Sequence, residues 1–133
     1  MSTRCQIKYK NSEDNIYIYQ HCDGYPSNIL PFLIEFTTAF FKARGDDECY
    51  FLAQYVRHRA VYDYKEAIKY HEKHPKIEKH PDEDDSPYKY LSHGLDCQQH
   101  GDIDYLYEVD SDGSIYVNGK KVTVDNLKKF LAA

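Results

Sequence analysis

The stretch from Ile16 to Phe41 constrains the fold most, because its residue pattern changes from strand-like to helix-like across one short turn. Ile16-Tyr17-Ile18-Tyr19-Gln20-His21 is β-branched and aromatic, with Ile16, Ile18 and Gln20 on one face and Tyr17, Tyr19 and His21 on the other. Cys22-Asp23-Gly24-Tyr25-Pro26 then reads as a turn. Beyond it Ile29, Leu30, Leu33, Phe36, Phe40 and Phe41 recur at helical spacing, with Ser27 or Asn28 as the expected N-cap and Lys42 to Gly45 as the stop. Such a junction gathers side chains from a strand end and a turn beside free helical N–H groups, so it is the first place to look for a site.

The rest of the chain fits around this junction. Cys5 to Lys10 alternates with Cys5, Ile7 and Tyr9 inward, and the polar turn Asn11 to Asn15 joins it to Ile16 to His21 as an antiparallel hairpin. Asp46 or Asp47 can cap a second helix with Cys49, Leu52, Val56 and Ala60 on its apolar side, continuing through Ala67 and Ile68. From about 71 to 87 three prolines punctuate a charged, His-bearing run that reads as a solvated loop. Order resumes at Tyr88 to Leu91, and Ser92 to Gly101 is a second polar junction. Asp102 to Asp110 alternates with Ile103, Tyr105, Tyr107 and Val109 on one face, and turns at 111–114 and 118–119 frame two short strands. A last helix, capped by Thr123, packs Leu127, Phe130 and Leu131 back on the sheet. The expectation is one α+β domain over 1–133, of order β-β-α-α-β-β-β-α, with an antiparallel sheet of about five strands and helices on one face. The tyrosine face would then be open to solvent, a ligand or a second subunit in a homodimer.

Composition narrows function. A net charge of −5 argues against a protein that coats nucleic acid and suits a basic protein partner or a small ligand. Fourteen tyrosines and no tryptophan supply amphipathic contact area. No apolar run approaches the roughly 18 residues of a membrane helix, and Met1 to Arg4 leads straight into a strand rather than a signal peptide. The expected location is therefore cytoplasmic. Cys5, Cys22, Cys49 and Cys97 form no C-x-x-C pair and read as free thiols.

His21, Asp23, His93, Asp96, His100, Asp102 and Asp104 all fall at strand ends or polar junctions. They would converge if the strand before Asp23 lay beside the one starting at Asp102. A divalent metal held by His21, Asp23, His100 and Asp102 could activate water for phosphodiester hydrolysis, which makes these four the catalytic and metal-ligating candidates. No H-E-x-x-H, H-x-H or zinc-spaced cysteine pair supports that assignment, so neither metal nor other cofactor is expected. In the plainer reading the aspartates cap turns, Gly24 and Gly101 supply positive φ, and the histidines are exposed hydrogen-bonders. Arg4, opening the first strand, either clamps an anion or pairs with Asp23 or Asp102. His21 and Cys22 are strand neighbours that point apart, so they make no catalytic dyad.

The motifs Thr3-Arg4 with Ile7, Tyr19-x-His21-x-Asp23-Gly24-Tyr25-Pro26, and His100-Gly101-Asp102-Ile103 with Tyr105-Leu106-Tyr107 resemble a family of small uncharacterised bacterial, phage and prophage proteins. The likeness covers both ends of the chain and not the middle from Gly45 to Pro87. It implies a phage setting, in which small acidic proteins antagonise host defence, as anti-CRISPR proteins do. The function expected is a non-catalytic binding module using Arg4, Tyr17, Tyr19, His21, Asp23, Tyr25, His93, His100 and Asp102. The alternative is a metal-dependent hydrolase or nuclease.

Overall fold

The computed structural model describes residues 2–77 and 93–133. Strands β1 (Cys5–Tyr9) and β2 (Tyr17–Gln20) form the expected hairpin, registered Ile7 opposite Ile18. Helix α1 (Pro26–Ala43) starts earlier than its polar cap candidates imply: Tyr25, two residues before Ser27, occupies the N-cap and Pro26 the first helical position, where the missing N–H costs nothing. Helix α2 (Glu48–Lys73) is capped by Asp47, whose carboxylate accepts from the Tyr50 N–H at 3.3 Å. It runs past His71, so the expected loop begins only at His74, and its portion from 78 to 87 lies outside the described residues, as does the return of order expected at Tyr88 to Leu91. Then come β3 (His93–Asp96), β4 (Tyr105–Val109), β5 (Ile115–Val117), β6 (Lys120–Lys121) and α3 (Leu127–Leu131).

The α+β class holds, with two corrections to the sheet. Among the described residues it has six strands, in the order β3-β2-β1-β4-β5-β6, and β1 pairs with β4 in parallel, Ile7 opposite Tyr107, while the other pairings are antiparallel. The added strand is β3, which the sequence presents as a polar junction because His-Gly-Leu-Asp has no strand pattern of its own; it forms by pairing along β2.

The face bearing Cys5, Ile7, Tyr9, Ile18, Tyr107, Val109, Ile115 and Val117 is buried under Ile29, Leu30 and Leu33 of α1 and Phe51, Leu52 and Tyr55 of α2. Leu127 and Phe130 of α3 pack on the same core, so the described helices share one face. The buried side of α2 is turned from the expected one: Cys49 is exposed, and Phe51, Tyr55 and Arg59, spaced four apart, face inward with Leu52. Phe36 packs its ring edge to face against both Phe51 and Tyr55, so large aromatic area decides that orientation.

The opposite face is less open than its polar residues suggest. Because β3 lies at the edge beyond β2 and β4 lies beyond β1, the connection from 97 to 104 must cross both strands, and it does so over this outer face. Gln6 is fully buried beneath it, donating from Nε2 to the Gln98 carbonyl at 3.0 Å and accepting from the His100 N–H at 3.0 Å. Tyr17 on the same face is also buried, with the Lys8 ammonium 5.1 Å from its ring centre. No helix among the described residues is long and apolar enough to cross a membrane.

Candidate functional site

The crossover creates the candidate site by laying His100 and Asp102 on the end of the β1–β2 hairpin. Arg4, just before β1, is stitched to the start of β4: its N–H donates to the Asp104 carboxylate at 3.0 Å and its carbonyl accepts the Asp104 N–H at 2.9 Å. Its guanidinium then reaches both polar junctions. Nε donates to His21 Nδ1 at 3.3 Å, and Nη1 lies 3.5 Å from Asp102 Oδ2. The Tyr19 hydroxyl approaches the same His21 nitrogen at 3.0 Å, so this nitrogen accepts and the neutral ring carries its proton on Nε2. The His100 ring stacks on Tyr19 with centres 4.6 Å apart, hydrogen-bonds Asp96 through Nε2, and holds Nδ1 3.9 Å from Asp102. The His100 contact, followed by the Cys97 and Gln98 backbone N–H groups, holds the Asp96 carboxyl below its ordinary range.

Arg4, Tyr19, His21, His100 and Asp102 thus meet, with Asp96 and Asp104 as further partners. β2 and β4 are not neighbours, as the sequence argument required; β1 separates them, and the crossover performs the joining. Tyr17 shares the outer face as the partner of Asp96 in the ladder.

Asp23, Tyr25 and His93 do not join this group. Asp23 has φ 59°, so it, rather than Gly24, takes the left-handed conformation of the turn, and its carbonyl accepts the Asn28 side-chain amide at 2.8 Å. Gly24 is required for space: a Cβ there would lie 2.8 Å from Cys5 Cβ and 2.9 Å from the Thr3 carbonyl. Gly101 likewise has no positive φ. Tyr25 is exposed at the helix N-cap. His93 faces the core side, its ring 6.4 Å from that of Tyr55, where burial and then the Arg59 charge push its pKa down to about 4.

That side holds a polar centre with little sequence signature. Arg59 is 1% exposed, donating to Asp63 at 3.0 Å and to both the carbonyl and the side-chain oxygen of Asn28 at 3.1 Å, between the rings of Phe32 and Tyr62. Burial raises the Asp63 pKa despite the opposing pull of Arg59. The centre ties α2 to the start of α1 and leaves Arg59 fully engaged.

Chemically, the outer-face group is partly paired within itself, with Asp102 largely exposed. His100 points both ring nitrogens at carboxylates, His21 Nδ1 is taken by Arg4 and Tyr19, and Arg4 is shared between His21 and Asp102. Among the described residues no group of three or more His, Cys, Asp or Glu side chains is arranged to hold a metal ion. No family model, curated protein or solved structure matches the chain. The resemblance of its terminal segments therefore rests on those motifs alone.

Proposed function

We propose that the protein is a small acidic, non-catalytic binding module that engages a basic protein surface. The observation that supports this reading over hydrolysis is the pairing of His21 Nδ1 with Arg4 and Tyr19 and of His100 Nε2 with Asp96. A general base needs a free lone pair near substrate; the His21 Nδ1 lone pair is taken by Arg4 and Tyr19, and His100 Nε2 is held by Asp96. The network instead fixes the crossover as a rigid polar surface beside Tyr19, and the net charge of −5 favours a cationic partner. The terminal motifs, read as phage-type, favour a partner in host defence, where a nucleic-acid-binding protein offers a basic surface that an acidic domain of this size can occupy.

Turnover of a model phosphodiester with Mg²⁺, Mn²⁺ or Zn²⁺ separates the two functions. The binding reading expects the wild type and His100→Ala to be equally inactive. Metal-dependent hydrolysis that His100→Ala loses while remaining folded would establish the hydrolase instead.

A further inference from the structure

The two long helices run antiparallel, because ring contacts join Phe40 to Phe51, Phe36 to Tyr55 and Phe32 to Tyr62, so residue numbers fall along α1 as they rise along α2. On the side of this pair turned away from the sheet lies an open groove of about 540 Å³, with Phe32, Phe36 and Phe40 half-buried in its walls. Val61 and Tyr62 stand on its α2 side, 38% and 42% exposed. Contiguous aromatic and aliphatic area left exposed in this way marks a contact surface.

The charges beside the groove are complementary to their own two-fold image. Glu35 and Lys65 line it, one on each helix. Seven residues further along, about two helical turns and so on the same face, stand Lys42 on α1 and Glu72 on α2. Thus α1 carries acid then base and α2 base then acid, at equal spacing. All four side chains are exposed, and among the described residues none of them forms an ion pair. A two-fold axis normal to the helix layer, midway between Glu35 and Lys65, exchanges these two. Because the helices are antiparallel and the spacings equal, the same axis is level with the midpoint of Lys42 and Glu72. Helix α1 of one copy then runs along α2 of the other with Glu35 against the partner's Lys65 and Lys42 against the partner's Glu72, each pair occurring twice. Phe32 and Tyr62, whose rings are 5.1 Å apart, each precede a charge of the inner pair by three residues, so they are level with the axis and form an aromatic centre inside a charged rim. The two charges that line the groove cancel, whereas the whole chain carries −5, so on this face two copies meet without the repulsion the rest of the surface imposes.

We propose that the α1–α2 groove is the interface of a homodimer, covered by the same face of a second copy of this chain. The helices lie on one side of the sheet and the crossover with His100 on the other, so the dimer keeps both crossovers facing outward and can engage a partner at two points. Sedimentation equilibrium of the full chain from about 1 to about 100 μM tests this. The wild type reaches the mass of two chains. Glu35→Lys sets a lysine against the partner's Lys65 at both ends of the interface and weakens dimerisation about tenfold or more, as does Lys65→Glu. The double variant Glu35→Lys/Lys65→Glu exchanges the charges, rebuilds both pairs and dimerises as the wild type does, which also shows that neither reversal harms the fold. Glu13→Lys, the same change of charge on the exposed β1–β2 turn, leaves the dimer intact. A wild type that stays monomeric throughout overturns the proposal and leaves the groove to another occupant, such as an amphipathic helix of a different protein. A dimer indifferent to the single reversals places the interface elsewhere, and a double variant as weak as the single ones overturns the pairing of Glu35 with Lys65.

Discussion

Acidification between neutral pH and pH 4 should destabilise this protein chiefly through one residue, His93. It sits on β3 opposite Gln20, facing the helices, with Tyr55 edge-on to its ring. Burial and, second, the Arg59 charge lower its pKa from 6.5 to about 4. Since the folded value is depressed, the unfolded chain binds the proton first, and stability rises with pH through this window. The contribution is complete above 6.5 and is lost as pH falls to about 4. At ~1.36 kcal/mol per pH unit the gap amounts to roughly 3 kcal/mol, a large share of the stability of a domain this size. Asp47, Asp96 and Asp112 are held below 3.8 and lose their contributions only at lower pH, outside the window. Asp63, with a raised pKa, works in the opposite sense, favouring the fold as pH falls, and is common to both proteins compared. Urea unfolding of the wild type and His93→Gln at pH 7, 5.5 and 4.5 isolates the effect. The wild type should lose about 2–3 kcal/mol more than the variant over this range. Parallel stability curves for the two proteins would refute the reasoning.

Two further outcomes follow from the packing. Gln6→Leu removes both hydrogen bonds that hold the crossover and strands the Gln98 carbonyl and the His100 N–H, at a cost of about 2–4 kcal/mol; faster amide exchange at His100 than in the wild type is the accompanying signature. Gly24→Ala forces a methyl to 2.8 Å from Cys5 Cβ and should cost about 1–3 kcal/mol in urea unfolding, with loss of the Tyr107 hydroxyl bond to the Gly24 carbonyl visible as a changed Tyr107 environment.

Elements whose signals are local were legible in the sequence. The β1–β2 hairpin, both long helices, the Asp47 cap and the hairpin through Asn118-Gly119 each carry their own period or turn residues. The parallel pairing of β1 with β4 joins residues about a hundred positions apart, and no local pattern records it. Gln6 alternates with core residues and so reads as solvent-facing; it is buried only because the crossover passes above it. Arg59 sits in the core through partners on another helix, which spacing along α2 cannot reveal. For the candidate site, the convergence of His21, His100, Asp102 and Arg4 was readable as polar residues at chain junctions, whereas the separation of Asp23 and His93 depended on which side of the sheet each strand end faced.

Binding of a short Lys/Arg-rich peptide to the wild-type chain, measured by calorimetry from about 0.05 to about 0.5 M salt beside a Glu/Asp-rich peptide of equal length, tests the central claim most directly. The account predicts saturable binding of the basic peptide that weakens steeply with salt and no binding of the acidic one. Equal affinity for the two peptides, or none for either, would contradict it.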